Sequence, residues 1–554
     1  MHTIFLLGLS GSGKSTVGRI LAERLGKPLF DIDALIEKES DKRIATIFAQ
    51  QGEEHFRTLE TSVLTRVAST EQSAVIATGG GIVMQRENLT LMRQHGVCIY
   101  LSVEPATALQ RLLSQQATAQ VNAISPEIRP LLAGSDPLTN LQNLLATRAE
   151  RYEDAHFTCS TEGKDEEQVA QEIIAMLISS GEMSGIIPLV RRIQVDRGYD
   201  VVVDWGGLGR LGYYLKRLDL PPRIFLITDS NVKKLYGSML AGTLLASGFD
   251  PYMYTVPAGE ASKSPSQLSA IYDWLLEQRA ERREAIVALG GGVVGDMAGY
   301  AAATYLRGVP LIQVPTSLLA QVDAAIGGKT GINHPRGKNL IGAFYHPRLV
   351  LADPATLLTL PVRERTEGWA EVVKYGIILD TKLVALLEEH AEILRDFSHP
   401  PAQLLCQIIA QCIALKAAII EEDEREQGRR AILNYGHTVA HALENVAGYG
   451  ELLHGEAVSI GMVVAAAIAQ QMEMFSSAGA TRQNRLLKAL GLPITYVGTV
   501  QAQDILAAMQ LDKKVANKQI HWVMPRRIGN VVVTPLPDDV VQRVIQSSFA
   551  EKRL

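Results

Sequence analysis

Short apolar runs alternate with amphipathic stretches through the first third of the chain. TIFLLGL (3–9), PLFDID (28–33), AVIATGGG (74–81) and VCIYLSV (97–103) are strand-length, and the stretches between them repeat apolar positions at helical spacing. That alternation predicts a parallel α/β domain over 1–180, closed by a helix in EEQVAQEIIAMLISS (166–180). GEMSGIIPLV (181–190), with glycine and proline towards its ends, reads as a linker. RIFLITDS (223–230), AIVALGGG (285–292) and LIQVPTS (311–317) predict strands of a second α/β domain over 191–362. From Arg363 onward, stretches rich in Ala, Leu, Ile and Glu predict a mostly helical domain over 363–554, with a late hairpin in IHWVMPRRIGNVVVT (520–534). The acidic run EEDERE (421–426) reads as a solvated helix face.

Length agrees with several units, since 554 residues exceed what one core holds. A net charge of -5 argues against a general nucleic-acid or membrane-surface role, so basic residues that matter act locally. Cys98, Cys159, Cys406 and Cys412 form no CxxC pair, which fits reduced thiols in a cytoplasm. The run AVSIGMVVAAAIA (457–469) is shorter than the ~20 residues of a membrane span. MHTIFLLGLSG carries too short an apolar run for a signal peptide. The expectation is a soluble cytoplasmic protein.

Chemistry enters with GLSGSGKS (8–15), a GxxxxGK[ST] pattern between a predicted strand and a predicted helix. Gly11, Ser12 and Gly13 let backbone amides approach phosphates, Lys14 neutralises the outer ones, and Ser15, followed by Thr16, holds magnesium. Asp31 and Asp33, two apart at a predicted strand end, share a face. Asp33 is a candidate acceptor for a hydroxyl proton and Asp31 a support for magnesium. With Arg57, Gly79, Gly80, Gly81, Arg129 and Arg148, these residues resemble shikimate kinase over 1 to about 175. The resemblance implies a P-loop kinase domain that phosphorylates shikimate to shikimate 3-phosphate with ATP and Mg2+. It places the substrate hydroxyls at Asp33, beside the glycine triplet, and the carboxylate between Arg57 and Arg148. Arg129 becomes a mobile lid arginine that meets ATP, and Lys14, Asp33 and Arg129 the catalytic set. Arginine suits a carboxylate because its planar fork binds it bidentately.

Downstream, GGGVVG (290–295) follows a predicted strand and satisfies GxGxxG, while Asp229, at the end of the preceding strand candidate, could hold a ribose. TDSNV, PAGEASKS, GGGVVGDMAGYAAATYLRG, QVPTSLLAQVDAAIGGKTGIN, GKNLIGAFYHP, EGWAEVVKYG, LNYGHTVAHALE and LHGEAV together resemble 3-dehydroquinate synthase from about 190 to 554. The resemblance implies a Rossmann-like α/β domain and a helical domain that use NAD and zinc, or cobalt in its place. The reaction is conversion of 3-deoxy-D-arabino-heptulosonate 7-phosphate to 3-dehydroquinate and phosphate. NAD falls to Asp229, Asn231, Glu260, Lys263, Gly291, Gly292, Val293, Asp296, Thr316, Ser317, Lys329 and Lys338. Substrate falls to Asp323, Lys329, Asn339, Lys374, Lys416, Arg430, Asn434 and His441, with a further lysine, Lys513 or Lys514. Lys329, Lys374 and His441 are its catalytic candidates. A homodimer is implied, with Arg307 reaching the neighbouring subunit's site. Carboxylate and phosphate on one substrate explain a dispersed basic set in an acidic protein.

HTVAH sets two readings against each other. Helix spacing alone nominates His437 and His441 as paired metal ligands, because i and i+4 share a face. The resemblance instead gives the metal to Glu371, His437 and His454 and leaves His441 to the substrate. Two rival functions follow from other uses of the fold. A metal-dependent polyol dehydrogenase would act on a neutral alcohol and would not need Arg307, Lys329, Lys416 and Arg430. A non-catalytic scaffold would not need Lys14, Asp33, Glu371 and His437.

Overall fold

The structure is a computed structural model and describes residues 3–25, 27–69, 73–121, 136–180, 188–397, 401–448, 451–516 and 520–549. It separates into two compact units, Met1–Gly185 and Ile186–Leu554.

The first unit is built on five parallel strands: β1 (Thr3–Leu7), β2 (Leu29–Asp31), β3 (Val75–Ala77), β4 (Gly96–Ser102) and β5 (Phe157–Ser160), in the order β2-β3-β1-β4-β5. Every residue of β1 is buried, so it reads as a continuous apolar run and not as an alternation. β5, with sequence FTCS, had no such run and was not anticipated; pairing with β4 decides it. β2 also ends earlier than its apolar run implies. Asp31 is the N-cap of the helix Ile32–Ser40, accepting the Ala34 N–H, so Asp33 lies in the helix's first turn. The expectation that Asp31 and Asp33 share a strand face is therefore incorrect. An N-cap carboxylate satisfies an orphan helix donor, and that local gain ends the strand.

The second unit carries a seven-stranded sheet. Its strands are β6 (Leu189–Ile193), β7 (Tyr199–Val203), β8 (Arg223–Asp229), β9 (Asp250–Val256), β10 (Ala285–Gly290), β11 (Leu311–Pro315) and β14 (Leu349–Ala352), in the order β6-β7-β14-β11-β10-β8-β9. All pairings are parallel except β6 with β7. β12 (Lys329–His334) and β13 (Gly337–Phe344) form a separate antiparallel hairpin. β6 begins at Leu189, inside the stretch read as a linker. Along the chain, β9 adds to one side of β8 and β10 to the other, so the turns after β8 and β10 diverge. Crevices that take ligands form at such switch points.

The remainder is helical apart from the expected hairpin, β15 (His521–Arg527) with β16 (Asn530–Pro535). The helix Ala402–Glu422 is long and apolar enough to cross a membrane by length and composition alone. Its Leu405, Ile409, Cys412, Ile413 and Lys416 are buried inside the unit, which makes it a core helix. This helix ends at Glu422, so EEDERE is not a solvated helix face. Asp423 accepts the backbone N–H groups of Gln427, Gly428 and Arg430 at 2.8–2.9 Å, which folds the rest of the run into a tight loop. Charge alone could not show that these acids have partners waiting in the fold.

Candidate active sites

In the first unit the loop after β1 leads directly into the helix Lys14–Leu25, whose free N–H groups and dipole favour an anion at its start. Lys14 Nζ donates to the Gly8 and Leu9 carbonyls at 2.9 and 2.8 Å, curling back over the loop. Ser15 Oγ donates to Asp31 Oδ2 at 2.6 Å. A cleft of about 410 Å³ opens beside the loop, lined by Gly11, Ser12, Gly13 and Thr16 and, from the far side, Arg111, Thr161 and Lys164. Arg111 is held there by Thr161 Oγ1 and carbonyl at 2.9 and 2.8 Å. The sequence reading missed these last three residues; no contiguous motif marks them.

The glycine triplet after β3 sits within a ring of charge. A Cβ at Gly81 would lie 2.4–2.6 Å from the Arg57 guanidinium, and one at Gly79 would meet Glu60 Oε1 at 2.4 Å and Asp33 Oδ1 at 2.9 Å. A side chain at either position would displace these charged groups. Arg148 Nη1 and the Tyr152 hydroxyl both donate to the Gly80 carbonyl, at 2.9 and 2.5 Å. Asp33, Arg57, Gly79, Gly80, Gly81 and Arg148 are thus brought together. Glu60 joins them unannounced: it is buried, accepts from Arg57 Nη1 at 2.7 Å, and its Oε1 has no hydrogen-bond donor. Burial, with Asp33 nearby, raises its pKa against the pull of Arg57 and Arg148. Arg129 lies outside the described residues.

In the second unit three helices converge. Glu371 comes from Val362–Leu379, His437 from His437–Ala447 and His454 from His454–Gln471. Each offers one ligand atom, and these atoms lie within 4.8 Å of one another, the one such group found among the described residues. Glu371 is 1% exposed, and neither carboxylate oxygen accepts a hydrogen bond. Its charge faces the buried Lys374 ammonium, with His437 Nε2 at 3.5 Å and His454 Nε2 at 3.8 Å. The Nδ1 atoms are taken elsewhere: His437 Nδ1 donates to the Tyr435 carbonyl at 3.2 Å, and His454 Nδ1 lies 3.4 Å from Glu444 Oε2. Both rings therefore keep Nε2 for a metal. Burial, with Lys374 beside it, pushes the His437 pKa well down and keeps the ring neutral, as a ligand must be. A buried carboxylate paired with Lys374 and two oriented imidazoles fit a zinc or cobalt ion. His441, exposed and with its ring centroid 5.5 Å from that of His437, is not in the group.

Other candidates surround this centre. Asp323 Oδ1 accepts from Lys416 Nζ at 2.8 Å and from the Tyr375 hydroxyl at 2.6 Å. Burial opposes that carboxylate, yet Lys416 and Lys374 hold its pKa well below the ordinary range. Arg430, buried, donates to the Gly327 and Glu424 carbonyls. The loop of acidic residues supplies Glu426, which pairs with Lys329 and accepts from Asn434 Nδ2 at 2.8 Å. Arg307 is exposed and, with Leu306, sits at positive φ. The Lys513 and Lys514 side chains lie outside the described residues.

At the switch point, Gly291 is the N-cap of the helix Gly292–Thr304, which also carries Val293 and Asp296. Its Cβ position would meet Ser317 Oγ at 3.5 Å, so Ser317, next to Thr316 after β11, borders the same turn. Asp229 caps the turn after β8, accepting the Asn231 and Val232 N–H groups. Lys263 Nζ joins Asp296 to Asn339, and Glu260 accepts from Asn333 at 2.7 Å.

Comparison with known proteins decides which family uses this arrangement. Residues 253–367 match the family model for the 3-dehydroquinate synthase N-terminal part and 368–515 that for its C-terminal part, while 10–178 match shikimate kinase. A 3-dehydroquinate synthase of Rippkaea orientalis is 45% identical over 63% of this chain and 94% of that protein. The chain belongs to the 3-dehydroquinate synthase family. Ahead of the synthase it carries a shikimate kinase domain, so it is a bifunctional enzyme with both activities. A 3-dehydroquinate synthase of a Synechococcus species is 46% identical over 63% of this chain and 95% of that protein. Among solved structures, a 2-deoxy-scyllo-inosose synthase complexed with carbaglucose-6-phosphate, NAD+ and Co2+ aligns at 28% identity and TM-score 0.60, over 65% of this chain and all of that one. A 2-epi-5-epi-valiolone synthase of Streptomyces hygroscopicus, with NAD+ and Zn2+ bound, aligns at 28% identity and TM-score 0.59, over 66% of this chain and 98% of that one.

Proposed function

We propose that the kinase domain of this bifunctional synthase binds ATP with Mg2+ at Gly11–Thr16 and shikimate at Asp33, Arg57, the glycine triplet and Arg148. The observation that carries this is the ring of Asp33, Arg57 and Arg148 around the glycine triplet, where a Cβ at Gly79 or Gly81 would run into the ring. Asp33 takes the proton of the attacking hydroxyl. Lys14 exchanges loop carbonyls for phosphate oxygens, and the Ser15–Asp31 pair orients Mg2+. Glu60 and Glu53 hold the Arg57 fork in place for a carboxylate. Arg57→Ala is expected to weaken shikimate binding by at least about 2 kcal/mol, because a bound carboxylate loses its charged partner. ATP affinity should hold; equal loss for both ligands in titration would assign Arg57 a different role.

For the synthase unit, the reading is a site in which Glu371, His437 and His454 hold Zn2+ or Co2+, and NAD lies along the turns after β8, β10 and β11. Zinc, when bound, polarises a substrate hydroxyl so that NAD can take hydride from its carbon and later return it. The side chains do the rest. Asp323, Lys329, Asn339, Lys374, Lys416, Arg430, Asn434 and His441 bind and orient the substrate's hydroxyls, carboxylate and phosphate and move its protons. Exposed Arg307 fits donation into a second copy's site, hence a homodimer. Four buried free thiols fit the cytoplasm. The proposal includes catalytic independence of the two units, tested by expressing 1–185 and 186–554 separately. Each piece should retain one activity, shikimate with ATP or the sugar phosphate with NAD; loss of both on separation would refute independence.

A further inference from the structure

Glu444 lies outside every assignment above, yet it touches two of them. Its carboxylate is buried on the helix His437–Ala447 and shared by two donors. Oε2 faces His454 Nδ1 at 3.4 Å and Oε1 accepts from Lys338 Nζ at 2.9 Å. Lys338 belongs to β13, and its neighbour Asn339, at a positive φ of 55°, is bonded to Lys263, which pairs with Asp296 at the glycine turn. Asn339 N–H also donates to Asn333 Oδ1 at 2.9 Å, and Asn333 in turn donates to Glu260. Polar contacts therefore run from a metal ligand through Glu444 to Lys338, itself assigned to the dinucleotide, and its chain neighbour Asn339 leads on to further residues of that assignment. From the other side, Glu367 accepts the Gly455 N–H at 3.0 Å and steadies the start of the helix that carries His454.

We infer that Glu444 is a positioning residue that orients His454 for the metal and, through Lys338, couples metal occupancy to NAD affinity. The inference rests on the metal and NAD assignments proposed above. A carboxylate on the outer nitrogen of a ligating imidazole fixes its orientation and raises its basicity, and loss of such partners typically costs 10–100-fold in metal affinity. A divalent ion on Nε2 also makes Nδ1–H a stronger donor. Glu444 then shifts towards His454 and relaxes its hold on Lys338, which becomes available to the dinucleotide. By linkage the effect is reciprocal, so NAD tightens metal binding by the same factor.

The test measures Co2+ affinity by chelator competition and NAD affinity by calorimetry on the full chain, each with and without the other ligand. Wild type should bind NAD more tightly when loaded with Co2+. Glu444→Gln should lose about tenfold or more in Co2+ affinity, alter the visible Co2+ spectrum and abolish the NAD difference. Lys338→Met, which frees Glu444 for His454, should bind Co2+ at least as tightly as wild type and also abolish the difference. Unchanged Co2+ affinity in Glu444→Gln overturns the positioning role. Coupling that is absent from wild type, or retained in either variant, overturns the link to NAD. If Glu444→Gln does not fold, Glu444→Asp, one methylene short but still charged, carries the same comparison. Undiminished Co2+ binding by His454→Ala would instead refute the metal assignment itself.

Discussion

His454→Ala is expected to strip the synthase unit of its metal, while His441→Ala keeps about one ion per chain and turns over poorly. Both histidines lie within reach of His437, and sequence spacing alone favours His441. Three observations decide for His454. Its Nε2 is 3.8 Å from Glu371 Oε1, its Nδ1 is occupied by Glu444, and it falls in the tight ligand group with Glu371 and His437. His441 is exposed and outside that group. A catalytic metal keeps three protein ligands and an open position for substrate, so a fourth histidine on the ion would close the site. Losing one of three ligands also leaves Glu371, a buried carboxylate, with Lys374 and His437 beside it and one ligand fewer around the ion. Metal content after dialysis, measured by atomic emission, checks this. The reverse pattern, with zinc lost from His441→Ala and kept by His454→Ala, would overturn the assignment.

Lys416→Met should destabilise the synthase unit by about 3–5 kcal/mol, the usual cost of removing one partner from a buried ion pair. Lys416 Nζ reaches both the Asp323 carboxylate at 2.8 Å and the Asp323 carbonyl at 2.7 Å; the Lys416 side chain is buried and that of Asp323 partly so, at 29% exposure. Burial lowers the Lys416 pKa, with Asp323 opposing, while Asp323 stays ionised through Lys416, Lys374 and the Tyr375 hydroxyl. Without Lys416 the carboxylate keeps its desolvation cost and loses its closest cation. Adding Asp323→Asn removes the stranded charge, so the double variant should recover much of the loss. All four tryptophans, Trp205, Trp274, Trp369 and Trp522, lie in the second unit, so tryptophan fluorescence in urea reports that unit within the full chain. A loss under about 1 kcal/mol, or strictly additive single and double variants, would show the pair to be solvated and not buried.

How much was legible in the sequence depends on how locally each feature is made. The phosphate loop, the glycine triplet and the glycine turn after β10 were readable because their chemistry needs consecutive backbone amides, which a contiguous motif supplies. The central strands β1, β4, β8, β10 and β11 were readable as well, since a strand buried on both faces must be apolar throughout. Two other strands of the sheets went unread: FTCS at β5, which is not an apolar run, and LVLA at β14, an apolar run of only four residues. The hairpin of β12 and β13 was missed for a similar reason, as its outer positions, including Leu340 and Phe344, are exposed and break the strand alternation.

By itself, then, the sequence determined two catalytic units, their order, and which residue types each would use, because those follow from contiguous patterns and family resemblance. Tertiary structure alone decided how side chains distant along the chain meet. It turned Asp31 into a helix cap and moved Asp33 into a helix, placed Glu60 beneath the Arg57 fork, and closed the cleft opposite the phosphate loop with Arg111 and Thr161. It folded EEDERE back so that Glu426 meets Lys329 and Asn434, where charge counting anticipated only solvent. It also grouped His454, and not His441, with Glu371 and His437. Helical periodicity relates residues on one helix only, whereas a metal site is set by where ligand atoms from three packed helices converge.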